Sequence, residues 1–239
     1  MILAWLLLVS GAAAASPQPA FVRIPAGSFG KTVFARPFWM QETEVTVDAF
    51  AAFVKATGYG TAAETAGASR TWRQPGFQVG GRQPVVYVTF RDAEAYCRWV
   101  AARLPTDAEW EYAARAGATG RHYWGEEIDD RYLWYRANSG DRPHDVGGKR
   151  PNRWGLYDVE GNVWEWAASP EPGGKTVANR RGGSWVDCEN IDGGPGHGLS
   201  PLIGLSKDFK AEVEVEHRYD DIGFRCVREE PPREAGRRR

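Results

Sequence analysis

Between Trp154 and Ala167 the chain reads W-G-L-Y-D-V-E-G-N-V-W-E-W-A. That is four aromatics, two glycines, three carboxylates and one amide in fourteen residues. An ordinary core strand would not carry that much charge, nor an ordinary surface loop that much tryptophan. Asp158, Glu160, Asn162 and Glu165 all offer oxygen donors. Calcium takes about six to eight oxygens, several of them often backbone carbonyls. The local reading is therefore a tightly wound, Ca²⁺-ordered turn walled by Trp154, Trp164 and Trp166. The competing reading is a surface turn with solvated acids.

A second group lies downstream. Asp187, Cys188, Asp192, His197 and His217 fall between R-G-G-S-W (Arg181–Trp185) and I-G-F-R-C-V (Ile222–Val227). Imidazoles and carboxylates can bind iron or a harder metal, or act as acid and base. Their spacing has no metal-ligand regularity, so loop residues without a common focus are the alternative. Cys188 has no identifiable neighbouring base, and an isolated thiol of that kind is more often inert than nucleophilic. The glycine run Gly193–Gly198 lacks the G-K-[ST] ending of a phosphate-binding loop.

Short elements must position these groups. Phe21 to Phe38 reads as short strands broken at Gly and Pro. Thr46 can cap a helix to about Thr57, with Phe50, Phe53 and Val54 on one face and Gly58 as its end. Residues 61–81 read as an irregular loop and 84–89 as a strand. Thr89 caps a helix to about Arg103 whose stripe (Ala93, Tyr96, Cys97, Val100, Leu104) places Cys97 on the buried face. Thr106 and Glu109 form a capping box for a third helix stopped by Gly117. Glu111 is then a solvated or salt-bridged side chain rather than an acid/base partner of Glu109. Residues 180–185, 210–215 and 222–227 read as strands, and the two glycines of the first mark close approach of another backbone or a ligand.

The 239 residues suit one domain, with 42% hydrophobic content and 11 Trp for core and pocket walls. A net charge of −1 predicts no nucleic-acid footprint. Met1–Ala15 is apolar and ends in small residues, as a secretory signal cleaved before Ser16 does. It is too short to span a bilayer; an apolar N-terminal strand is the alternative. Residues 16–228 would be the folded domain and 229–239 a disordered tail. The signal reading places the protein outside the cytoplasm, secreted or periplasmic, where disulfides persist. Cys97, Cys188 and Cys226 allow three pairings.

L-Y-D-V-E-G-N-V-W-E-W (Leu156–Trp166) resembles the signature of the formylglycine-generating enzyme, or sulfatase-modifying factor, family. Arg103–Gly117, Arg181–Trp185, Ile222–Val227, the opening Phe21–Phe29 and Glu44–Thr46 agree with it in order. The resemblance spans about Phe21 to Arg228. It implies a single, irregular, loop-rich α+β domain of C-type-lectin-like kind, with structural calcium and a Cys97–Cys226 disulfide. It assigns the side chains of Asp158 and Glu165 and the carbonyls of Gly161 and Val163 to the calcium. Asn138 matches the start of another family calcium site whose aspartate is not clearly present here.

The founding activity of the family is O₂-dependent oxidation of a substrate cysteine to formylglycine. It uses two thiolates that bind copper(I), with a Ser and a Trp nearby. The Ser matches Ser184 and the Trp matches Trp164. The first thiolate falls at Asp187, with Cys188 one residue late and turned to the opposite face if this stretch is a strand. The second falls near Asp192. A copper dithiolate is thus not expected, and any redox metal stays unnamed. Two functions follow. One is an exported oxidoreductase or maturation factor working on a peptide or protein substrate, like periplasmic members that help mature peptide siderophores. Its chemistry would centre on Trp164, Ser184, Asp187, Cys188 and His217. The other is a non-catalytic, calcium-stabilised binding or accessory module. The sequence sets no oligomeric state.

Overall fold

The computed structural model describes residues 19–170, 176–187 and 218–231. Four short strands open the chain: β1 (Phe21–Ile24), β2 (Gly27–Phe29), β3 (Thr32–Phe34) and β4 (Phe38–Gln41). They are followed by α1 (Val47–Thr57), α2 (Ala62–Thr65), α3 (Phe90–Trp99) and α4 (Asp107–Arg115). The chain then runs without regular structure to β5 (Trp164–Pro170), β6 (Thr176–Arg181), β7 (Ile222–Gly223) and β8 (Val227–Arg228). β4 lies between β1 and β8, β2 pairs β3, and β5 lies between β6 and β7. The β5–β6 pair is antiparallel and β5–β7 parallel. Few regular elements and long loops match the expected fold class.

Side-chain caps set the helix starts. Thr46, Thr89 and Thr106 each accept a bond from the backbone N–H three residues on, and Asp92 and Glu109 complete capping boxes for α3 and α4. Gly58 ends α1 in the left-handed conformation. The expected loop at 61–81 contains α2, because Thr61 and Glu64 form a third capping box. α3 stops at Trp99 instead of reaching Arg103. Left-handed Ala101 turns the chain so that Arg103 and Val227 exchange two backbone bonds. Residues 84–89 are no strand. Val85 bonds to Val45 and Tyr87 to Tyr219, and the left-handed Tyr87 breaks any ladder. The expected strands at 180–185 and 222–227 are also cut short. β6 ends at Arg181, and the closing segment divides into β7 and β8, which sit in different sheets. The segment 210–215 lies outside the described residues.

Two cores meet near the chain's end. In one, Phe50, Phe53, Trp72, Tyr96, Trp166 and Phe224 pack edge-on and stacked. The other holds Ile24, Met40, Trp110, Leu156 and Val227. Cys97 and Cys226, both fully buried, form a disulfide across 129 residues of sequence. The pairing that the family resemblance implied is the one present.

Candidate functional site

The chemically dense stretch is buried, and its acids are not solvated. Asp158, Glu160, Asn162 and Glu165 are each at most 2% exposed. The tight winding is confined to its first half, where Asp158, Gly161 and Asn162 all have positive φ. From Trp164 the chain is strand β5. Gly161 is obligatory here. Its φ is +81°, and a Cβ would lie 2.2 Å from the Trp134 carbonyl oxygen. Its N–H donates to the Gly182 carbonyl, so the glycines at the end of β6 do mark a close backbone approach.

The four oxygen donors go to different partners. The Glu160 carboxylate meets His122 Nδ1 at 2.5 Å, and both side chains are buried. The Asn162 side-chain oxygen accepts from the His144 N–H, and its amide donates to Glu44. Glu165 accepts three N–H bonds, from Arg225 Nε and Nη2 and from Trp110 Nε1, at 2.7–2.8 Å. Asp158 accepts from the Gly147 N–H at 2.6 Å through one oxygen; its other oxygen, Oδ1, is buried without a partner. The stretch therefore holds two buried polar centres, one around the Glu160–His122 contact and one around Arg225.

Arg225 is fully buried, and its guanidinium also donates to the carbonyls of Gln41, Glu42 and Tyr157. Glu44 and Asp158 are near enough to feel its charge and that of Glu165. One buried cation thus faces three buried acids. Burial pushes Asp158 up to about 6 and, together with the neighbouring Asp158, holds Glu44 well above the usual carboxylate range. Glu44 Oε2, like Asp158 Oδ1, has no partner. Surplus buried acid with two unpartnered oxygens is a setting that takes a cation. Asp158 has an oxygen to give, and Glu165 keeps one of its roughly four acceptor sites. Among the described residues, no group of three or more His, Cys, Asp and Glu side chains gathers in metal-holding geometry. A calcium here would lean on the carbonyls of Gly161 and Val163.

The second candidate group converges on Ser184. Beyond Arg181 the chain leaves the strand through Gly182 and Gly183, both with positive φ, and turns at Trp185 and Val186. Asp187 is therefore not in a strand, and Cys188 lies outside the described residues. This turn folds Asp187 back onto Ser184, and both are fully buried. Asp187 Oδ2 accepts from the Ser184 N–H at 2.6 Å and lies 3.1 Å from Ser184 Oγ. Asp221 Oδ2 lies 3.1 Å from the same Oγ. The Asp221 carbonyl accepts from the Trp164 N–H, which ties the tryptophan to the group, and the Arg180 guanidinium covers the Trp164 ring at 4.8 Å. Burial pushes Asp187 up to about 7 and raises Asp221, while Arg180 pulls both down.

Three expected site residues, Trp164, Ser184 and Asp187, are thus brought together. Cys188 and His217, with Asp192 and His197, lie outside the described residues. Asp221, Arg180 and Arg225 were missed in the sequence. For Asp221 and Arg225 the signal was present: they flank the three residues I-G-F of the closing motif D-I-G-F-R-C. Asn138 braces a turn through Tyr135, Leu133 and Asp130, and Glu111 pairs with Arg115 and Arg181.

Comparison with known proteins agrees with this architecture. The sulfatase-modifying factor enzyme 1-like domain matches residues 9–230. A formylglycine-generating enzyme of Streptomyces coelicolor is 38% identical over 233 residues, covering 66% of this chain and 74% of that protein. The mouse protein named inactive C-alpha-formylglycine-generating enzyme 2 is 32% identical and covers 95% of this chain and 92% of its own length. Among solved structures, PvdO from Pseudomonas aeruginosa aligns with a TM-score of 0.66 and 27% identity over 89% of this chain and 95% of its own. With the motifs, the disulfide and the fold in agreement, the chain belongs to the sulfatase-modifying factor family.

Proposed function

We propose that this chain is an exported maturation factor of its family that acts on a peptide or protein substrate, by oxidative chemistry that does not use a copper dithiolate. The observation that carries the reading is Asp187. It stands where the family resemblance places the first thiolate, and it is folded onto Ser184 beside Trp164. Soft thiolates suit copper(I), whereas a carboxylate suits harder metals or proton transfer. Cys97 and Cys226 cannot replace the thiolates, because they are bonded to each other. That disulfide also supports an oxidising compartment and the signal reading of Met1–Ala15. Among the described residues no helix is long and apolar enough to cross a membrane. A structural Ca²⁺ held by Asp158, Glu165 and the carbonyls of Gly161 and Val163 is part of the proposal.

A second reading, a non-catalytic binding module, is favoured by the 32% identity to a relative named inactive over 95% of this chain. One experiment separates the two. The full chain is incubated in air with a pooled library of cysteine-containing peptides, copper being chelated, and products are read by mass. Conversion that is abolished by Ser184→Ala and by Asp187→Asn is the expected result. Conversion that requires added copper(I) overturns the mechanism. Saturable peptide binding without conversion establishes the second reading.

A further inference from the structure

Ser184 Oγ lies 3.1 Å from a carboxylate oxygen of Asp187 and 3.1 Å from one of Asp221. A serine hydroxyl has one proton to donate. It can satisfy one of these oxygens as a donor. Toward the other it presents a lone pair, which two ionised oxygens would oppose. The contact becomes favourable only when the second carboxyl carries a proton and donates to Oγ. From this count we propose that Asp187, Ser184 and Asp221 form a carboxyl–hydroxyl–carboxylate relay holding one shared proton at neutral pH.

The surroundings favour that state. Asp187 is fully buried, and its Oδ1 has no partner among the described residues. The charged groups that bear on the pair can be named. Arg180, at the end of β6, stands over Trp164 and lowers both acids. Asp220 raises Asp221, and is itself 3.7 Å from Arg70. Arg136 gives Asp187 only a backbone bond, its N–H to the Asp187 carbonyl, and turns its guanidinium to the Val186 carbonyl. No guanidinium hydrogen-bonds either carboxylate among the described residues, in contrast to Glu165. With the described groups alone, the way left to lower the cost of two close buried acids is to keep one of them neutral.

The relay has a direction. Asp187 is the more deeply buried of the two, so it is the better seat for the proton, and half-buried Asp221 the better seat for the negative charge. Transfer is balanced. The Asp187 O–H proton passes to Oγ as the hydroxyl proton passes to Asp221, and one proton has crossed from the buried side to the solvent side. This holds whether the pocket catalyses a reaction or only binds a peptide, so it stands apart from the proposed function.

The test is infrared difference spectroscopy of the full chain with ¹³C-carboxyl-labelled aspartate at neutral pH, wild type minus variant. Expected is one band from the carbonyl stretch of a protonated aspartic acid. The same band should be lost in Asp187→Asn and in Asp221→Asn, since an amide in either place lets the remaining carboxyl ionise against the hydroxyl. Two findings overturn the relay: no protonated band attributable to the pair, or a band removed by one substitution and kept in the other. Should an amide variant fail to fold, Ser184→Ala serves in its place. A band shifted by loss of its acceptor supports the relay, and an unmoved band overturns it.

Discussion

The Arg225 centre and the Ser184 centre both bury acids, yet they treat them oppositely. Around Arg225, Glu165 receives a two-nitrogen clasp and a third bond from Trp110, so three of its roughly four acceptor sites are filled. Around Ser184, two acids share one hydroxyl and a guanidinium that lies on a neighbouring ring instead of on them. A bidentate clasp fixes the carboxylate's geometry. A pair without one has a movable proton. The difference separates a centre whose acid is clasped by a cation from one whose acids share a hydroxyl.

The largest effect should come from breaking the clasp. Arg225→Met leaves Glu165 buried without its cation and should cost about 3–5 kcal/mol, read as a large fall in the urea midpoint or as failure to accumulate. A loss under about 1 kcal/mol would erase the contrast between the centres.

The pH dependence of the Ser184 centre comes next. Asp187 is raised from 3.8 to about 7 in the folded chain. A raised carboxyl stabilises the fold while protonated, so this contribution is complete below about pH 4 and lost as pH climbs through about 7. At about 1.4 kcal/mol per unit, wild type should lose a few kcal/mol relative to Asp187→Asn across that window. Parallel stability curves for the two proteins would refute it.

The calcium proposal sharpens the comparison from the other side. Asp158→Asn leaves the Arg225–Glu165 clasp intact while removing a charged donor. EDTA should lower the melting temperature of wild type, with calcium at a hundredfold excess over its Kd contributing about 2.7 kcal/mol, and should leave Asp158→Asn nearly unmoved. Equal shifts would displace the ion from this site. The smallest effect belongs to Arg180→Gln, which removes a cation from the Trp164 face and should cost about 0.5–1 kcal/mol. Its more telling readout is a further rise of the Asp187 and Asp221 titrations.

Local chemistry was legible in the sequence and long-range pairing was not. Thr46, Thr89 and Thr106 announce their helices because a cap and its partner lie three residues apart. Thr61 and Glu64 carry the same signal, masked by the glycine and alanine around them. The end of α3 depends on Arg103 meeting Val227, and no local pattern reports that. The acids of residues 158–165 were recognised as unusual, but their partners, His122, Glu44 and Arg225, come from far along the chain. The Ser184 turn escaped for another reason. Two left-handed glycines end β6 early, and the stretch R-R-G-G-S-W does not itself say where pairing stops.

Among the described residues, β4 has the first strand on one edge and the last on the other. Arg225 and Cys226 arrive with that last strand. A growing chain that has emerged only as far as β7 therefore has Glu44, Asp158 and Glu165 in place without their cation, Cys97 without its mate and one edge of β4 open. The eight described residues after β7, 224–231, act as a clasp, and until they are delivered the rest should lie open to proteases.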